Sequence, residues 1–130
     1  YLADIVFKDP AKLKILNSIV HPEVYEHLNE FIENNKDKNY IVYENAILFE
    51  NKSDAFCDKI ITVTAPLDIR INRVVKRDKT TEKAVKNRIK NQWGEDRKTL
   101  QSHYVITNKN LENTESQVFK IHNILTNTLY

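Results

Sequence analysis

The sequence is poor in glycine and contains no methionine. Gly94 is the only glycine among 130 residues, and the chain begins at Tyr1. A Gly-rich phosphate-binding loop needs several glycines in a short stretch, because its backbone must approach phosphate oxygens closely. Such a loop is therefore excluded from these residues, and the missing methionine indicates that translation starts elsewhere.

Cysteine and strong net charge are also scarce. Cys57 has no second cysteine to pair with, which agrees with a reducing compartment and favours a small buried apolar residue. The net charge of +2 is too near neutral to indicate a nucleic-acid or membrane partner. No apolar run approaches a membrane span, and no signal peptide is present. An apolar content of 41% suffices for one core, so at most one domain is expected.

The stretch that organises the chain is residues 59–92. Residues 60–65 form an apolar, β-branched run, which is typical of a strand covered on both faces by helices. Pro66 ends that strand. Proline suits the first turn of a helix, and Asp68 lies where the helix dipole favours an anion, so a helix is expected to begin at Pro66 or Leu67.

Arginines recur along that helix. Arg70, Arg73 and Arg77 are spaced i, i+3 and i+7, which places their guanidinium groups on one face. Crowded cations need water or an anion to neutralise them, and arginine matches phosphate oxygens with a planar fork of donors. One interpretation is an arm that contacts a polyphosphate, whose Gly-rich cradle would lie upstream of this sequence or on another chain. The alternative, which the spacing alone favours, is a solvated face partnered by Asp78 and Glu82.

The N-terminal part predicts two helices. Asp9 followed by Pro10 is a strong helix start, because an N-cap carboxylate precedes a proline at the first helical position. Pro22 disfavours helical backbone at His21. The first helix is therefore expected to end there, and a second helix to run to about Asn34.

A further strand is expected at residues 40–43, with an apolar continuation at residues 46–49. The polar pair Glu44 and Asn45 separates the two runs. Polar groups at the end of a buried strand often lie at the carboxyl edge of an α/β sheet, where ligands bind. The alternative is a strand end that turns into solvent.

The next helix combines basic and apolar residues. Thr80 is expected to cap a helix over residues 81–93, and Gly94 to end it at the C′ position. Arg88 and Gln92 lie on the partly apolar face of this helix, which suggests a functional role for them.

Strands that alternate with helices favour an α/β fold with a parallel sheet. A third strand is expected at residues 104–107, after one or two helical turns at residues 95–102. Three short strands leave uncovered edges, which indicates that part of the sheet is missing. A closing amphipathic helix is marked by Val118, Ile121, Leu125 and Leu129.

Six segments, in order along the chain, resemble those of dephospho-CoA kinase, which uses ATP to phosphorylate the ribose 3′-hydroxyl of dephospho-CoA. Each segment is weak by itself, but their order and spacing are specific and cover the chain nearly end to end. The segments are LADIVFKDPAKLKILNSIVHP at residues 2–22, AILFE at 46–50, CDKIITVTAP at 57–66, RVVKRD at 73–78, RIKNQ at 88–92 and YVITN at 104–108.

The resemblance implies a P-loop kinase fold of the nucleoside monophosphate kinase type, incomplete in this chain. Such a fold has a parallel core sheet, a helical CoA-binding region and a mobile lid. The Walker A loop and the aspartate base would precede Tyr1, so the chain resembles the C-terminal two-thirds of the enzyme. By position, residues 1–37 resemble the CoA-binding helices, 38–66 the core strands, 67–103 the lid helices, and 104–130 a core strand and the C-terminal helix.

The resemblance also implies ligands and site residues. ATP and Mg²⁺ would be the cofactors and dephospho-CoA the substrate, in the cytoplasm, with no membrane or nucleic-acid partner. The chain itself would supply no metal ligand, and nothing in it specifies an oligomeric state. Arg73, Arg77 and Arg88 fall on catalytic arginine positions, Gln92 and Asn108 on nucleotide-binding positions, and His21, Pro22, Phe49 and Glu50 in the acceptor-binding region.

Departures from the family pattern concern ligand detail. The acidic group expected before the AILFE segment moves by one position, and the proline that follows it is absent. Where the family has glycine after its last core strand, the asparagine found here can still adopt a left-handed turn. The substituted positions are Glu44, Asn45 and Ala46 for Asp-x-Pro, Ser102, His103 and Tyr104 for Ala-Asp-Tyr, and Asn110 for the glycine of Asn-x-Gly.

Two other functions are compatible with the arginines. Another P-loop kinase with a different small acceptor would carry them equally well, although the His21 and Pro22 region favours CoA. A non-catalytic helical module would bind nucleic acid through them, but the near-neutral charge and the lack of interleaved aromatics count against it. For His21 the alternative is a helix-terminal histidine satisfied by backbone. Without a Gly-rich loop, these residues alone are expected to lack kinase activity.

Overall fold

The computed structural model describes residues 5, 9–90 and 92–127. Two units are present, residues 1–42 and residues 43–130, and each has its own internal contacts. One long helix dominates the described part of the first unit. The second unit holds a small parallel sheet with helices packed on it.

Helix α1 spans Pro10–Asn34 in the first unit. Asp9 caps it, because Oδ1 of Asp9 accepts hydrogen bonds from the backbone N–H of Ala11 at 3.0 Å and of Lys12 at 3.2 Å. Pro10 occupies the first turn, where its missing N–H leaves no helical hydrogen bond unmade. The predicted helix start is therefore found in the structure.

The predicted break at His21 is wrong, since α1 continues through Pro22. A proline inside a helix leaves the carbonyl four residues earlier without its N–H partner. That carbonyl belongs to Ser18, which is exposed, so water can take the place of the missing donor. An exposed helix thus accommodates a proline that a buried helix would not.

Strands β1 and β2 form the sheet of the second unit, at Ile61–Thr64 and Tyr104–Thr107. They pair in parallel, with Ile61 opposite Tyr104 and Thr64 opposite Thr107. The strands predicted at residues 60–65 and 104–107 are both present, and the predicted α/β class is confirmed.

The strand predicted at residues 40–43, with its continuation at 46–49, is wrong. These residues are irregular or form turns. Oδ1 of Asn45 accepts the N–H of Ile47 at 3.0 Å, and this type of side-chain hydrogen bond favours a turn. A strand also needs a neighbouring strand to satisfy its backbone, and the two described strands pair only with each other.

Among its described residues the second unit also has a short 3-10 helix at Ser53–Phe56 and four α-helices: α2 at Leu67–Asp78, α3 at Glu82–Lys90, α4 at Glu95–Leu100 and α5 at Leu111–Asn127. Helix α2 begins at Leu67 as predicted and ends where Lys79 takes a left-handed φ of 49°. Helix α2 packs against α3, α4 against β1, and α5 against β2. The closing helix is also present, although Leu129 lies outside the described residues. None of the described helices is long and apolar enough to cross a membrane.

The prediction that β1 is covered on both faces is wrong for the described residues. Thr62 is buried while its partner Val105 is exposed, whereas Val63 is exposed while its partner Ile106 is buried. Paired residues of neighbouring strands point to the same face of the sheet. Each face is therefore covered over one strand only.

The N-terminus of α3 differs by one residue from the prediction. Thr81, not Thr80, makes the capping hydrogen bond, because its Oγ1 accepts the N–H of Ala84 at 3.3 Å. The same chemistry serves one residue later, since either threonine can satisfy a free N–H of the first turn.

The C-terminus of α3 also differs from the prediction. The helix ends at Lys90 instead of reaching Trp93. The N–H of Trp93 donates to Glu50, so it does not donate into α3. Gly94 consequently precedes α4 in an extended conformation, with φ −61° and ψ 149°, instead of ending α3.

Candidate functional site

The carboxyl ends of β1 and β2 lie beside each other. The N–H of Asn108, the residue after β2, donates to the carbonyl of Thr64, the last residue of β1, at 2.7 Å. Ligands of α/β proteins bind at this edge of the sheet. Asn108 therefore lies where this class of fold places its ligand sites.

Arg73 reaches from α2 to the loop that follows β2. Its Nη1 donates to the carbonyl of Asn108 and its Nη2 to the carbonyl of Lys109, both at 2.9 Å. One guanidinium group thus holds two successive backbone carbonyls. The structure brings Arg73 and Asn108 together, although the family resemblance implied different roles for them.

The same loop is held from α5 by Gln117. Its Oε1 accepts the N–H of Thr107 at 2.9 Å, and its Nε2 donates to the carbonyl of Thr107 at 3.1 Å. Oδ1 of Asn108 accepts a hydrogen bond from the hydroxyl of Thr114 at 3.3 Å. Gln117 was not predicted from the sequence, since a single glutamine on a helix carries no local signal of the strand end that it meets.

Asn110 does not adopt the left-handed turn considered for it. Among the described residues other than glycine, positive φ occurs at Lys52 and Lys79. Oδ1 of Asn110 instead accepts the N–H of Asn113 at 2.9 Å, which satisfies a free donor in the first turn of α5. The asparagine at the family's glycine position is therefore a helix cap here.

Glu95, at the start of α4, joins β1 to α2. Its Oε2 accepts a hydrogen bond from the hydroxyl of Thr64, and its Oε1 lies 3.0 Å from Nη1 of Arg70. Arg70, the first of the three regularly spaced arginines of α2, is therefore paired with a carboxylate at the sheet edge. Glu95 was not predicted from the sequence, because its role depends on the packing of α4 beside β1.

Arg77 and Arg88 converge on one carboxylate, and these two residues with Asp78 are called the Asp78 cluster below. Nε of Arg77 lies 2.8 Å from Oδ1 of Asp78, and Nη2 of Arg77 lies 3.4 Å from Oδ2. Nη1 of Arg88 lies 2.9 Å from Oδ2. The arginine side chains are 74% and 60% exposed, and that of Asp78 is 27% exposed. Because Asp78 ends α2 and Arg88 lies on α3, the carboxylate links two helices.

The Asp78 cluster carries an excess of positive charge. Hydrogen bonds from Arg77, and next from Arg88, lower the pKa of Asp78, while the Asp78 carboxylate raises the pKa of Arg77. Asp78 and Arg77 therefore favour each other's charged form, and the cluster sets two guanidinium groups against one carboxylate. Glu82, the other partner considered from the sequence, pairs with Lys86 at 2.6 Å instead.

A second group of residues, called the Trp93 cluster below, comprises Phe49, Glu50, Trp93, Arg97 and Lys98. Phe49 is buried and stacks on Trp93, with ring centroids 5.7 Å apart and 3° between the ring planes. The guanidinium carbon of Arg97 lies 3.2 Å from the centroid of Trp93, a cation–π contact. Oε1 of Glu50 accepts the N–H of Trp93 at 2.8 Å and lies 3.1 Å from Nζ of Lys98.

Glu50 and Lys98 form the most shielded ion pair among the described residues, with side chains 17% and 14% exposed. Burial by itself raises the pKa of Glu50, but the hydrogen bond from Trp93 and the contacts with Lys98 outweigh burial, so the pKa is lowered. Nζ of Lys98 also donates to the carbonyl of Ala46 at 3.2 Å. The turn that contains Phe49 and Glu50 is therefore tied to α4.

The predicted acceptor-binding residues fall in both units. Phe49 and Glu50 belong to the Trp93 cluster, whereas His21 and Pro22 lie on the exposed surface of α1. His21 is inside α1, so the alternative of a helix-terminal histidine is wrong. Gln92, predicted to bind the nucleotide, follows α3 and is exposed.

The described side chains fit the phosphates of ATP better than the Mg²⁺ that accompanies ATP. In the described ranges no group of three or more His, Cys, Asp or Glu side chains is placed to hold a metal ion. The groups suited to ATP are therefore the arginines near the sheet edge and in the Asp78 cluster.

Cys57 is half-buried, and burial, followed by the charges of Asp54 and Asp58, raises the pKa of its thiol.

Comparisons with known proteins agree with the family resemblance found in the sequence. A family model for dephospho-CoA kinase matches residues 1–113. The chain is 36% identical over 118 residues to the dephospho-CoA kinase of Fusobacterium nucleatum, and 37% identical over 130 residues to that of Bartonella quintana. These alignments cover 90% and 97% of the chain, but 61% and 67% of the two relatives. The chain thus spans about three-fifths to two-thirds of their length.

Two solved structures have a similar fold. A crystal structure of a protein from Thermus thermophilus matches with a TM-score of 0.83 and 28% identity, over 95% of this chain and 64% of that one. A dephospho-CoA kinase from Campylobacter jejuni matches with a TM-score of 0.65 and 24% identity, over 98% and 65%, and shows likeness of fold alone. The predicted P-loop kinase type of α/β fold is confirmed.

Proposed function

Because this chain belongs to the dephospho-CoA kinase family, we propose that the complete protein transfers the γ-phosphoryl group of ATP to the ribose 3′-hydroxyl of dephospho-CoA. The family match over residues 1–113 supports this reaction class. The product would be coenzyme A, formed in the last step of its biosynthesis, in the cytoplasm. ATP with Mg²⁺ is the donor, and neither nucleic acid nor a membrane is required.

The observation that carries this proposal is the convergence of Arg77 and Arg88. Phosphoryl transfer depends on positioning and on stabilising charge that develops on phosphate oxygens. The two arginines offer exposed planar donors at one place, from two helices of the lid region, residues 67–103. We expect them to contact the ATP phosphates when the lid closes, and closure to exclude water that would hydrolyse ATP.

The role of Arg73 is more constrained. Both of its terminal nitrogens hold backbone carbonyls, those of Asn108 and Lys109. A phosphate contact by these nitrogens would require lid closure to break at least one of the two hydrogen bonds. The catalytic role of Arg73 therefore stays a prediction, as do nucleotide contacts by Asn108 and Gln92.

We expect the turn that contains Phe49 and Glu50 to contact the acceptor, and His21 and Pro22 stay a separate prediction in the first unit. The Trp93 cluster supports this assignment indirectly, since the aromatic stack and the ion pair with Lys98 hold that turn in place. We expect apolar surface near Phe49 to contact dephospho-CoA. Holding this turn in place before the ligand arrives improves affinity, because less conformational freedom is lost on binding.

Residues 1–130 by themselves are expected to have no kinase activity. Phosphoryl transfer needs a cradle for the β- and γ-phosphates, and one glycine cannot build a Gly-rich loop. The measurement is ATP-dependent phosphorylation of dephospho-CoA by residues 1–130. Detectable product would contradict the expectation.

Replacing Arg77 with alanine in the complete protein tests the phosphate role. We expect kcat for coenzyme A formation to fall about 100-fold, the size of effect seen when one donor to transition-state charge is lost. The matched control is Lys83→Ala, which removes a cation from α3 outside the Asp78 cluster and should change kcat by less than about twofold. Unchanged turnover and unchanged ATP affinity in Arg77→Ala would remove Arg77 from the mechanism.

Competition binding separates this function from that of a P-loop kinase with another acceptor. Dephospho-CoA should displace a labelled acceptor analogue, and nucleoside monophosphates should not. Tighter binding of a nucleoside monophosphate would favour the other kinase. Affinity for nucleic acid that falls steeply with salt and ignores ATP would instead favour a nucleic-acid module.

A further inference from the structure

The proposed function leaves the carboxylate of Asp78 unexplained. A phosphate group is repelled by a carboxylate next to its site, so an aspartate between two phosphate-binding arginines requires a reason. Two explanations predict opposite effects. Asp78 either competes with the phosphates for the arginines, or it assembles the arginines for the phosphates.

The geometry favours assembly. Asp78 uses both carboxylate oxygens, and it engages Nε and Nη2 of Arg77 but only Nη1 of Arg88. The remaining guanidinium nitrogens donate to no other residue in the described ranges. Asp78 is the most shielded member of the cluster, while both arginines are mostly exposed. Donors of both arginines therefore stay available to a second anion while the carboxylate is in place.

The position of Asp78 also favours assembly. It is the last residue of α2, where Lys79 turns the chain with a positive φ, and it reaches Arg88 on α3. Without the carboxylate, two like charges would repel, and two long side chains would regain their rotamer freedom. Ligand binding would then have to order both side chains, which weakens affinity.

We propose that Asp78 is a positioning residue that holds Arg77 and Arg88 side by side as one binding site for a phosphate group of a polyphosphate. This rests on the proposed function, which makes the triphosphate of ATP the ligand of the lid arginines. The carboxylate stays charged throughout and accepts hydrogen bonds from both arginines.

Titration calorimetry of the complete protein with tripolyphosphate tests the proposal through the sign of the effect. Asp78→Asn retains the shape of the side chain but has one acceptor oxygen and no charge. We expect the Kd for tripolyphosphate to rise about fivefold, because the arginines lose their preorganisation. Electrostatics alone predicts a lower Kd, since the variant lacks one negative charge and its net charge is one unit more positive.

Control variants isolate the positioning role. Glu82→Gln makes the same charge change on α3 at a residue that pairs with Lys86, and its Kd should be unchanged or slightly lower. Asp78→Glu keeps a carboxylate at this position, so its Kd should lie between that of the unsubstituted protein and that of Asp78→Asn. If Asp78→Asn fails to fold, Asp78→Glu takes its place in the comparison. In a protein that lacks both arginine side chains, Asp78→Asn should cause no further weakening.

The outcomes distinguish a failure of the positioning role of Asp78 from a failure of the proposed phosphate site. Unchanged or tighter binding by Asp78→Asn overturns the positioning role, and tighter binding identifies Asp78 as a competitor. Equal weakening by Glu82→Gln also overturns it, because the effect would then be general to acidic residues of the lid. If the unsubstituted protein does not bind tripolyphosphate, the proposed phosphate site itself is overturned.

Discussion

The Trp93 cluster and the Asp78 cluster both join a carboxylate to basic side chains, yet they differ in exposure. The Glu50–Lys98 pair is mostly buried, whereas Arg77 and Arg88 are mostly exposed. A shielded ion pair must stay paired, because an uncompensated buried charge is costly. Exposed arginines can exchange water for a ligand at their remaining donors at little cost. One cluster is therefore suited to maintaining the structure and the other to binding.

The two clusters also differ in the length of chain that they close. Glu50 and Trp93 are 43 residues apart in sequence, whereas Asp78 and Arg88 are 10 residues apart. Closing a longer loop costs more conformational entropy, so the contacts that close it must be stronger. The Trp93 cluster meets this need with a stacked aromatic pair, a hydrogen bond and a shielded ion pair.

The largest effect on stability is expected from Phe49→Ala. Removing a buried ring that stacks on Trp93 leaves a cavity, and we expect the free energy of unfolding to fall by about 3 kcal/mol. Urea unfolding of the complete protein, followed by circular dichroism, measures it. Phe119→Ala is the matched control, since Phe119 is 64% exposed, and should cost less than about 1 kcal/mol. Equal losses would contradict the structural role of the Trp93 cluster.

A smaller loss is expected from Glu50→Gln. The amide keeps the size of the side chain but leaves the shielded ammonium of Lys98 without its counter-ion, which should cost about 2 kcal/mol of unfolding free energy. The same urea experiment on Asp78→Asn should show no measurable loss, since the arginines that it leaves are solvated. If the two variants lose the same stability, exposure does not distinguish the clusters.

The smallest effect is expected from acid. The pKa of Glu50 is lowered from its ordinary value of 4.5, so the unfolded chain binds a proton more readily than the folded one. The stability that Glu50 contributes is therefore fully present above pH 4.5 and is lost as the pH falls through the lower folded pKa. Unfolding free energy measured from pH 6 to about pH 3 should fall less steeply in Glu50→Gln. Identical slopes would show that Glu50 is not held as a charged group.

Predictions from the sequence succeeded where the signal is local. The cap at Asp9, the start of α2 at Leu67 and strand β2 all follow from residue type and spacing within a few residues. They failed where a distant contact or solvent intervenes. Gly94 does not end α3, because Glu50 takes the N–H of Trp93.

The candidate site was predicted in part for the same reason. The sequence identified Arg73, Arg77, Arg88 and Asn108 as residue types suited to a nucleotide. One alternative from the sequence named Asp78 as a partner, and Asp78 does pair with Arg77 and Arg88. The carbonyls that Arg73 meets were not identified, nor was Glu95, which pairs with Arg70 across two helices. Such partners become neighbours only when helices pack on the sheet.

The order of strands and helices from β1 to α5 and the resemblance to a kinase family were determined by the sequence itself, since both depend on residue type and spacing along the chain. The state of each arginine was decided by the tertiary structure: Arg70 meets a carboxylate, Arg73 two carbonyls, and Arg77 an aspartate shared with Arg88. The physical reason is that a guanidinium group pairs with whatever acceptors packing brings within about 3 Å of it. Spacing along one helix cannot specify acceptors that other elements supply.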